Sequence, residues 1–324
     1  MCLRIKLVIL LFLFALSANA GAGDIIKRIT DWTDKVFYDQ DTNYVKLIPR
    51  EISVKLTNTN WLDFYNVNPD QYSSLQMRSD VVSGLSLSVG YSIFSLSYSV
   101  GLNSYFSDKV YDCSRFDFNM CWNKFSIEFG TYRNESQRNL FSYDNDAFDD
   151  EVVCSGLKMK MYKGRFLYYF NNKRYSNDAS YSDFYRLQQI RSTGSFIAGA
   201  SYSYHDMSLD AHLLYPYIVV PQITSDFKYS DYALNVGYGY NFVFAKRWLL
   251  NLTDVPEVGY KYVINPDKGS HVAINNTLKL VLLYNRDRCF SGLSGEFDSY
   301  WNFMKKSDIG SSIATVNLFV GVRF

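Results

Sequence analysis

Beyond residue 20 the chain has no apolar run of eighteen residues, the length an α-helix needs to cross a bilayer. That absence excludes helical membrane spans from this part of the sequence. Net charge is nearly absent too: the formal value is +1, with no basic stripe, which gives no reason to expect a nucleic-acid partner. Cysteine is sparse, and after residue 20 only Cys113, Cys121, Cys154 and Cys289 remain. Their spacing matches no zinc motif and no CxxC, so neither a metal site nor a redox pair is predicted. An envelope location permits disulfides, and four cysteines allow three full pairings. Small half-buried apolar positions are the preferred reading of these residues. Histidine is limited to His205, His212 and His271, which narrows any search for a catalytic base.

What the chain has is alternation and aromatic rings. Apolar residues make up 48% and aromatics 18% of the sequence, with 28 Tyr and 24 Phe. Rings in that number suit the girdles at the two edges of a membrane barrel, with a large soluble β-sandwich as the competing class. The last eleven residues, 314 to 324, separate the two cases. Ala314, Val316, Leu318, Val320, Val322 and Phe324 share one parity, and Thr315, Asn317, Phe319, Gly321 and Arg323 hold the other. A strand points successive side chains to opposite faces, so this segment has one apolar and one mixed face. It stops on an aromatic, as the closing strand of an outer-membrane barrel does. Phe324 is therefore read as an assembly signal for the barrel-insertion machinery.

The other end agrees. Arg4 and Lys6 precede the apolar run from Leu7 to Leu16, and Ala18-Asn19-Ala20 supplies a small-x-small cleavage pattern. Residues 1–20 are predicted to be a signal peptide, with the mature chain starting at Gly21. From Asp24 to Phe37 the apolar residues Ile25, Ile26, Ile29, Trp32, Val36 and Phe37 recur at helical steps. Residues 21–49 are thus expected to be a periplasmic or plug segment with one short amphipathic helix, followed by a barrel over 50–324.

From about residue 50 the period is two. Leu85, Leu87, Val89 and Tyr91 alternate with Gly and Ser, turn at Ser92-Ile93, and give way to Phe94, Leu96, Tyr98 and Val100. Similar tight turns are predicted at Trp122-Asn123, Lys163-Gly164, His205-Asp206, Ala245-Lys246 and Asp287-Arg288. Longer polar stretches, among them 135–152 and 174–193, alternate with these and are assigned to the outside of the cell. Short turns on one side and long loops on the other is the asymmetry of an outer-membrane barrel. The expected fold is all-β, a transmembrane antiparallel β-barrel of about 14 strands. Twelve is the alternative, because Pro256 lies inside a strand where its missing N–H must be absorbed. Parity also predicts the lining. Asp210, His212, Asn235, Lys279, Glu296, Asp298 and Arg323 fall opposite their strands' apolar faces. Charges are costly on a lipid face, so these residues are expected to line the lumen.

The stretch from Tyr168 to Asp210, with its FNNKRYS and QQIRSTGSF pieces, resembles an uncharacterised family of Bacteroidetes envelope proteins filed as a domain of unknown function. So do DTNYVKLIP from residue 41, DYALNVGYGYNFVFAKRWLL from 231, LVLLYNRDRCFSG from 280 and the terminal VNLFVGVRF. The resemblance implies an outer-membrane β-barrel and carries no reaction, ligand or catalytic residue.

A search for chemistry finds little. Ser208, Asp210 and His212 share one strand face, but same-face neighbours stand about 6.5–7 Å apart, so a lumenal network is the better reading than a triad. Asp144, Asp146, Asp149, Asp150 and Glu151 cluster in one loop without the EF-hand order, which reads as a solvated acidic loop. No cofactor and no enzyme activity are expected. The predicted role is a small-solute pore or structural protein of the bacterial outer membrane, in contact with outer-membrane lipid and lipopolysaccharide. The alternatives are a lipid hydrolase with His212 as base, and a hydrophobic-ligand channel plugged by the N-terminal helix.

Overall fold

Alternating segments of this length close into a wall because each strand buries one face and pairs along both edges. The computed structural model describes residues 39–68, 75–103, 112–135, 138–143, 146–154, 158–181, 185–208, 226–265, 268–302 and 308–324. The predicted signal peptide and the predicted helix at 24–37 lie outside these residues. The strands are β1 (Val45–Leu47), β2 (Ile52–Asn68), β3 (Leu75–Ser79), β4 (Val82–Tyr91), β5 (Phe94–Gly101), β6 (Cys113–Cys121) and β7 (Phe125–Asn134). They continue as β8 (Arg138–Tyr143), β9 (Asp146–Cys154), β10 (Lys158–Tyr169), β11 (Leu187–Gln189) and β12 (Thr193–Ser208). The last are β13 (Asp226–Ala245), β14 (Trp248–Asn265), β15 (Gly269–Asn285), β16 (Cys289–Asn302) and β17 (Asp308–Arg323). One helical turn, α1 (Asp178–Tyr181), precedes β11.

Twelve of these strands form the ring β2-β4-β5-β6-β7-β10-β12-β13-β14-β15-β16-β17, antiparallel throughout and closed by β17 on β2 from Arg323↔Ser53 to Asp308↔Asn68. Closure removes every edge within the ring. Strands β3, β8 and β9 extend the wall above β2 at the end that carries the long loops. Phe324 continues the closure at the short-turn end: its N–H donates to Ile52 O at 2.9 Å and its carbonyl accepts from Glu51 N at 3.2 Å.

The count is 12 rather than 14 because two predicted turns are strand interior. Lys163-Gly164 lies in the middle of β10, and His205-Asp206 near the end of β12. Both places break the apolar alternation with a polar side chain that points inward. In sequence an inward polar residue looks like a turn; in the barrel it is lining. Losing one turn on each side of residues 170–192 also moves that segment. Its described residues, 170–181 and 185–192, lie at the short-turn end, beside the Trp122 and Ala245 turns, and not with the long loops as expected.

Pro256 sits inside β14 without ending it. The β13–β14 ladder skips from Asn235↔Glu257 to Tyr238↔Asp254, keeping register, while Pro256 stays opposite Asn276 of β15. The skipped stretch contains Gly237, where a Cβ would lie 2.3 Å from Asp254 O. Glycine there lets the backbones approach where the proline supplies no N–H.

The outside of the ring is apolar. Phe196, Leu234, Val236, Phe244, Val258 and Leu318 are among many large side chains exposed on it. Among the described residues no helix is long and apolar enough to cross a membrane; the spanning element is the barrel. With every backbone edge in the ring paired and its apolar belt outside, the protein is an outer-membrane β-barrel.

Candidate functional site: the occluded lumen

The inward parity of each strand delivers polar side chains to the lumen, and three layers of them are stacked along the barrel axis. At the long-loop end, β2 and β7 bring together Asp63, Tyr65, Tyr132 and Asn134. Asn134 Nδ2 donates to Asp63 Oδ2 at 2.6 Å, and the Tyr132 and Tyr65 hydroxyls donate to the two Asp63 oxygens at 2.5 and 3.0 Å. Across from them His205 stacks on Tyr229 at 4.5 Å and meets Tyr300 edge-on. Lys261 Nζ donates to Asp231 Oδ2 at 2.8 Å within the same wall, and both are buried.

The middle layer is a web of ion pairs. Arg165 of β10 stands at its centre. Its Nη1 is 3.5 Å from Glu128 Oε2 on β7, and its Nη2 is 3.3 Å from Glu257 Oε1 on β14 and 3.8 Å from Asp298 Oδ1 on β16. The same Nη2 donates to Thr277 Oγ1 at 2.6 Å, and Thr277 donates to Asp298 at 2.6 Å. Lys163 reaches Asp298 at 3.2 Å and Glu296 at 3.5 Å, and Lys279 of β15 reaches Glu128 at 3.2 Å. Arg115 of β6 pairs with Asp117 at 2.8 Å and approaches Glu296 at 3.8 Å. β7 and β15 are five places apart in the twelve-strand ring, as are β10 and β16. These pairs therefore join nearly opposite walls across the lumen.

The third layer closes the short-turn end. Residues 39–50, 170–181 and 185–192 fold into the mouth as an internal plug. β1 pairs antiparallel with β11, Val45 opposite Gln189 and Leu47 opposite Leu187. Asp39 and Asp41 tie the first segment to Lys173 and Arg174 of the second. The α1 turn is capped by Ser176 Oγ, which accepts from Ala179 N at 3.1 Å, and Asp178 Oδ2 accepts from Leu187 N at 2.9 Å. The wall holds the plug through long amides. Asn241 donates to Ser176 O and Gln189 Oε1, Asn251 donates to the Tyr175 hydroxyl, and Asn285 donates to Tyr185 O and Leu187 O. Arg323 Nη2 donates to Tyr185 O at 2.6 Å and to Asn285 Oδ1 at 2.7 Å. Val45, Ala179, Tyr185 and Leu187 pack on Leu249, Val281, Leu283, Phe290 and Phe319 of the wall, and the Tyr185 ring stacks on Phe319 at 5.4 Å. Gly239 leaves room for this docking, since a Cβ there would lie 2.5 Å from the Tyr175 hydroxyl.

Between web and plug a cavity of about 140 Å³ remains, lined by Lys55, Thr57, Arg115, Lys163, Tyr181 and Lys279 among others. A second cavity of about 120 Å³ adjoins it and runs along Ser86, Ser88, Ser97 and Ser99 of β4 and β5. Lys55, Arg115, Asp117, Asn119 and Asn317 line both.

Of the residues singled out in the sequence, Asn235, Lys279, Glu296, Asp298 and Arg323 face inward in the structure, and Phe324 is at the short-turn rim with its ring outside. Asp210 and His212 lie outside the described residues, as does Asp144 of the acidic loop. His205, assigned to a turn, is instead a lumenal residue, and its Nε2 lies 3.0 Å from Ser203 Oγ. The imidazole thus reaches its same-face neighbour along the strand. Its Nδ1 has no hydrogen-bond partner among the described residues, so none of them orients it as the third member of a triad would. Among the described residues no three His, Cys, Asp or Glu side chains are arranged to hold a metal ion, and Cys289 is a free thiol. Sequence reasoning missed Glu128, Lys163, Arg165 and Glu257. The signal was available for Glu128, which alternates with Ser126 and Gly130 opposite Ile127 and Phe129.

Residues 39–324 match the protein family described as "Domain of unknown function (DUF4421)". The chain belongs to that family. Family membership covers both the plug and the whole ring, since the match begins at residue 39. No curated protein matches the sequence. Among solved structures, the translocator domain of the autotransporter NalP from Neisseria meningitidis is 10% identical, with a TM-score of 0.41 over 95% of this chain and 98% of that one. The outer membrane protease OmpT from Escherichia coli is 7% identical, with a TM-score of 0.39 over 88% and 100% of the two chains. The toluene transporter TodX from Pseudomonas putida is 8% identical, with a TM-score of 0.30 over 85% and 90%. At these TM-scores the likenesses decide nothing about activity.

Proposed function

We propose that this member of the family is an occluded channel for small polar solutes, closed at rest by its ion web and its plug. The observation that carries this reading is the pairing of nearly opposite walls by Arg165 and Lys163 with Asp298 and by Lys279 with Glu128, above a polar cavity. A hydrophobic-ligand channel would call for an apolar lining, and the lining here is charged. The hydrolase alternative rests on His212, which lies outside the described residues; the described His205 has Ser203 beside it and no acid on Nδ1 among the described residues, so the channel is the reading preferred. The segments that carried the family resemblance support the plug as the working part: 41–49, 170–181 and 185–192 build it, while 231–250, 280–292 and 316–324 supply Asn241, Asn285, Phe319 and Arg323, which hold it. A Bacteroidetes envelope, lipopolysaccharide contact and recognition by the barrel-insertion machinery belong to the same proposal.

Single-channel recording in planar bilayers tests it. The wild type is expected to show no steady porin-like conductance, and a Lys163→Ala, Arg165→Ala double variant to show openings. A wild type that conducts continuously would overturn occlusion. A correctly folded double variant that stays silent, alone and with residues 170–192 unlatched by Asn241→Ala and Asn285→Ala, would favour the structural role.

A further inference from the structure

Asp254 is on the wrong side of the wall. Its neighbours Val255 and Thr253 are buried toward the lumen, while Leu252, Asp254, Pro256 and Val258 face out. It lies six residues from Trp248 and six from Tyr260, the outward aromatics at the two rims of β14. At about 2.5 Å of axial rise per residue for a strand tilted about 40°, each rim is about 15 Å away. Asp254 therefore stands near the middle of the lipid-facing band. Among the described residues no ion pair or hydrogen bond is made by its carboxyl group. An ionisable side chain at that depth is costly in hydrocarbon and marks a contact site by default.

A second polar group shares the face. Asn276 of β15 is diagonal to Asp254 across the β14–β15 ladder, where Asp254 is opposite Leu278 and Pro256 opposite Asn276. Asn276 lies on the outward parity of β15; its Oδ1 is buried and has no partner among the described residues, so its amide Nδ2 is the group left to donate outward. No hydrogen bond joins the two residues within the barrel. Around them Leu252, Leu278 and Leu280 are exposed and apolar.

We infer that the outward face of β14 and β15 is the contact surface for a second copy of this chain, with Asp254 of each copy meeting Asn276 of the other. A two-fold axis along the membrane normal keeps both residues at their own depth, and an isologous contact requires such a reciprocal pair. The Asn276 amide Nδ2 can donate to the Asp254 carboxyl of the other copy, so the contact serves both carboxyl groups without importing a cation. The outward cations of the chain at this wall, Lys246 and Arg247 at one rim and Lys228 at the other, are too far along the axis to serve. A heterologous partner would have to bring a cation of its own. The apolar residues around the pair provide the close packing on which association in lipid depends.

Disulfide trapping in vesicles decides this. Leu252→Cys places a thiol on the same face and leaves Asp254 and Asn276 in place, while Leu96→Cys places one on β5, across the barrel. The expected result is a covalent dimer from Leu252→Cys and none from Leu96→Cys. Adding Asp254→Leu and Asn276→Leu should reduce that dimer on the order of tenfold, the value of two hydrogen bonds in a membrane. Asp254→Asn, which keeps the donor–acceptor match, should retain it. Heat-modifiable gel mobility checks that each variant is a folded barrel. Equal trapping at residues 252 and 96, trapping unaffected by the double leucine change, or a single-copy mass in lipid nanodiscs would each overturn the inference.

Discussion

Replacing Arg165 with methionine removes the hub of the lumen and leaves its carboxylates behind. The guanidinium is 6% exposed and meets Glu128, Glu257 and Asp298, besides donating to Thr277. The three acids are not equally dependent on it. Glu128 keeps Lys279, and Asp298 keeps Lys163 and the Thr277 hydroxyl. Among the described residues Glu257 keeps only the neutral donors Ser201 at 2.7 Å and Asn235 at 3.4 Å. Breaking a buried ion pair from one side costs about 3–5 kcal/mol, because the remaining charge is buried and unpaired. Methionine fills much of the vacated volume, so a cavity adds little. Arg165→Met should therefore lower unfolding stability by about 3–5 kcal/mol. Arg165→Lys keeps a charge but loses the planar fork that spans three partners, and should cost about 1–3 kcal/mol. Adding Glu257→Gln to Arg165→Met removes the orphaned charge, so the double variant should be more stable than the single one. Denaturant unfolding of the barrel in vesicles, followed by tryptophan fluorescence and gel mobility, measures all three. An Arg165→Met barrel within about 1 kcal/mol of wild type, or a double variant less stable than the single, would refute the web as a set of coupled buried pairs.

Other parts of the structure give equally direct expectations. Phe324 contributes two backbone hydrogen bonds and an exposed ring at the rim, so Phe324→Asp should cut the assembled yield severalfold, by heat-modifiability, while leaving the unfolding midpoint of assembled barrels within about 1 kcal/mol. Gly239→Val should push Tyr175 off the wall, because even a Cβ there lies 2.5 Å from the hydroxyl; the readout is faster proteolysis of residues 170–192 with an intact ring. At the exposed plug latch, hydrogen bonding to Lys173 and its charge hold the Asp39 carboxyl below its ordinary value, and the Asn43 donors do the same for Asp41. Groups depressed on folding stabilise above their unfolded pKa and lose that contribution as pH falls through the folded one. Hydrogen exchange over residues 41–48, corrected for intrinsic rate, should thus rise below about pH 4 and be flat from pH 5 to 8; the same exchange at pH 3 and pH 6 would refute the latch.

The sequence alone determined the class, the alternation and most of the lining, because strand periodicity is local and a lipid face does not tolerate charge. Lys279, Glu296 and Asp298 could be assigned by parity without knowing what they touch. Pro256 gave warning of an irregular ladder, though not of the glycine opposite that absorbs it. Only the tertiary structure decided the strand count, since Lys163 and His205 interrupt the apolar pattern as turn residues do, and their inward partners lie on strands far away in the chain. It alone showed that FNNKRYS and QQIRSTGSF, polar enough to read as an outer loop, turn into the mouth and exchange water for Asn241, Asn251, Asn285 and Arg323. Whether a polar segment faces solvent or a wall of amides is set by what the ring brings opposite it. That juxtaposition, like the meeting of Arg165 with carboxylates from three other strands, is a property of closure, and no local pattern encodes it.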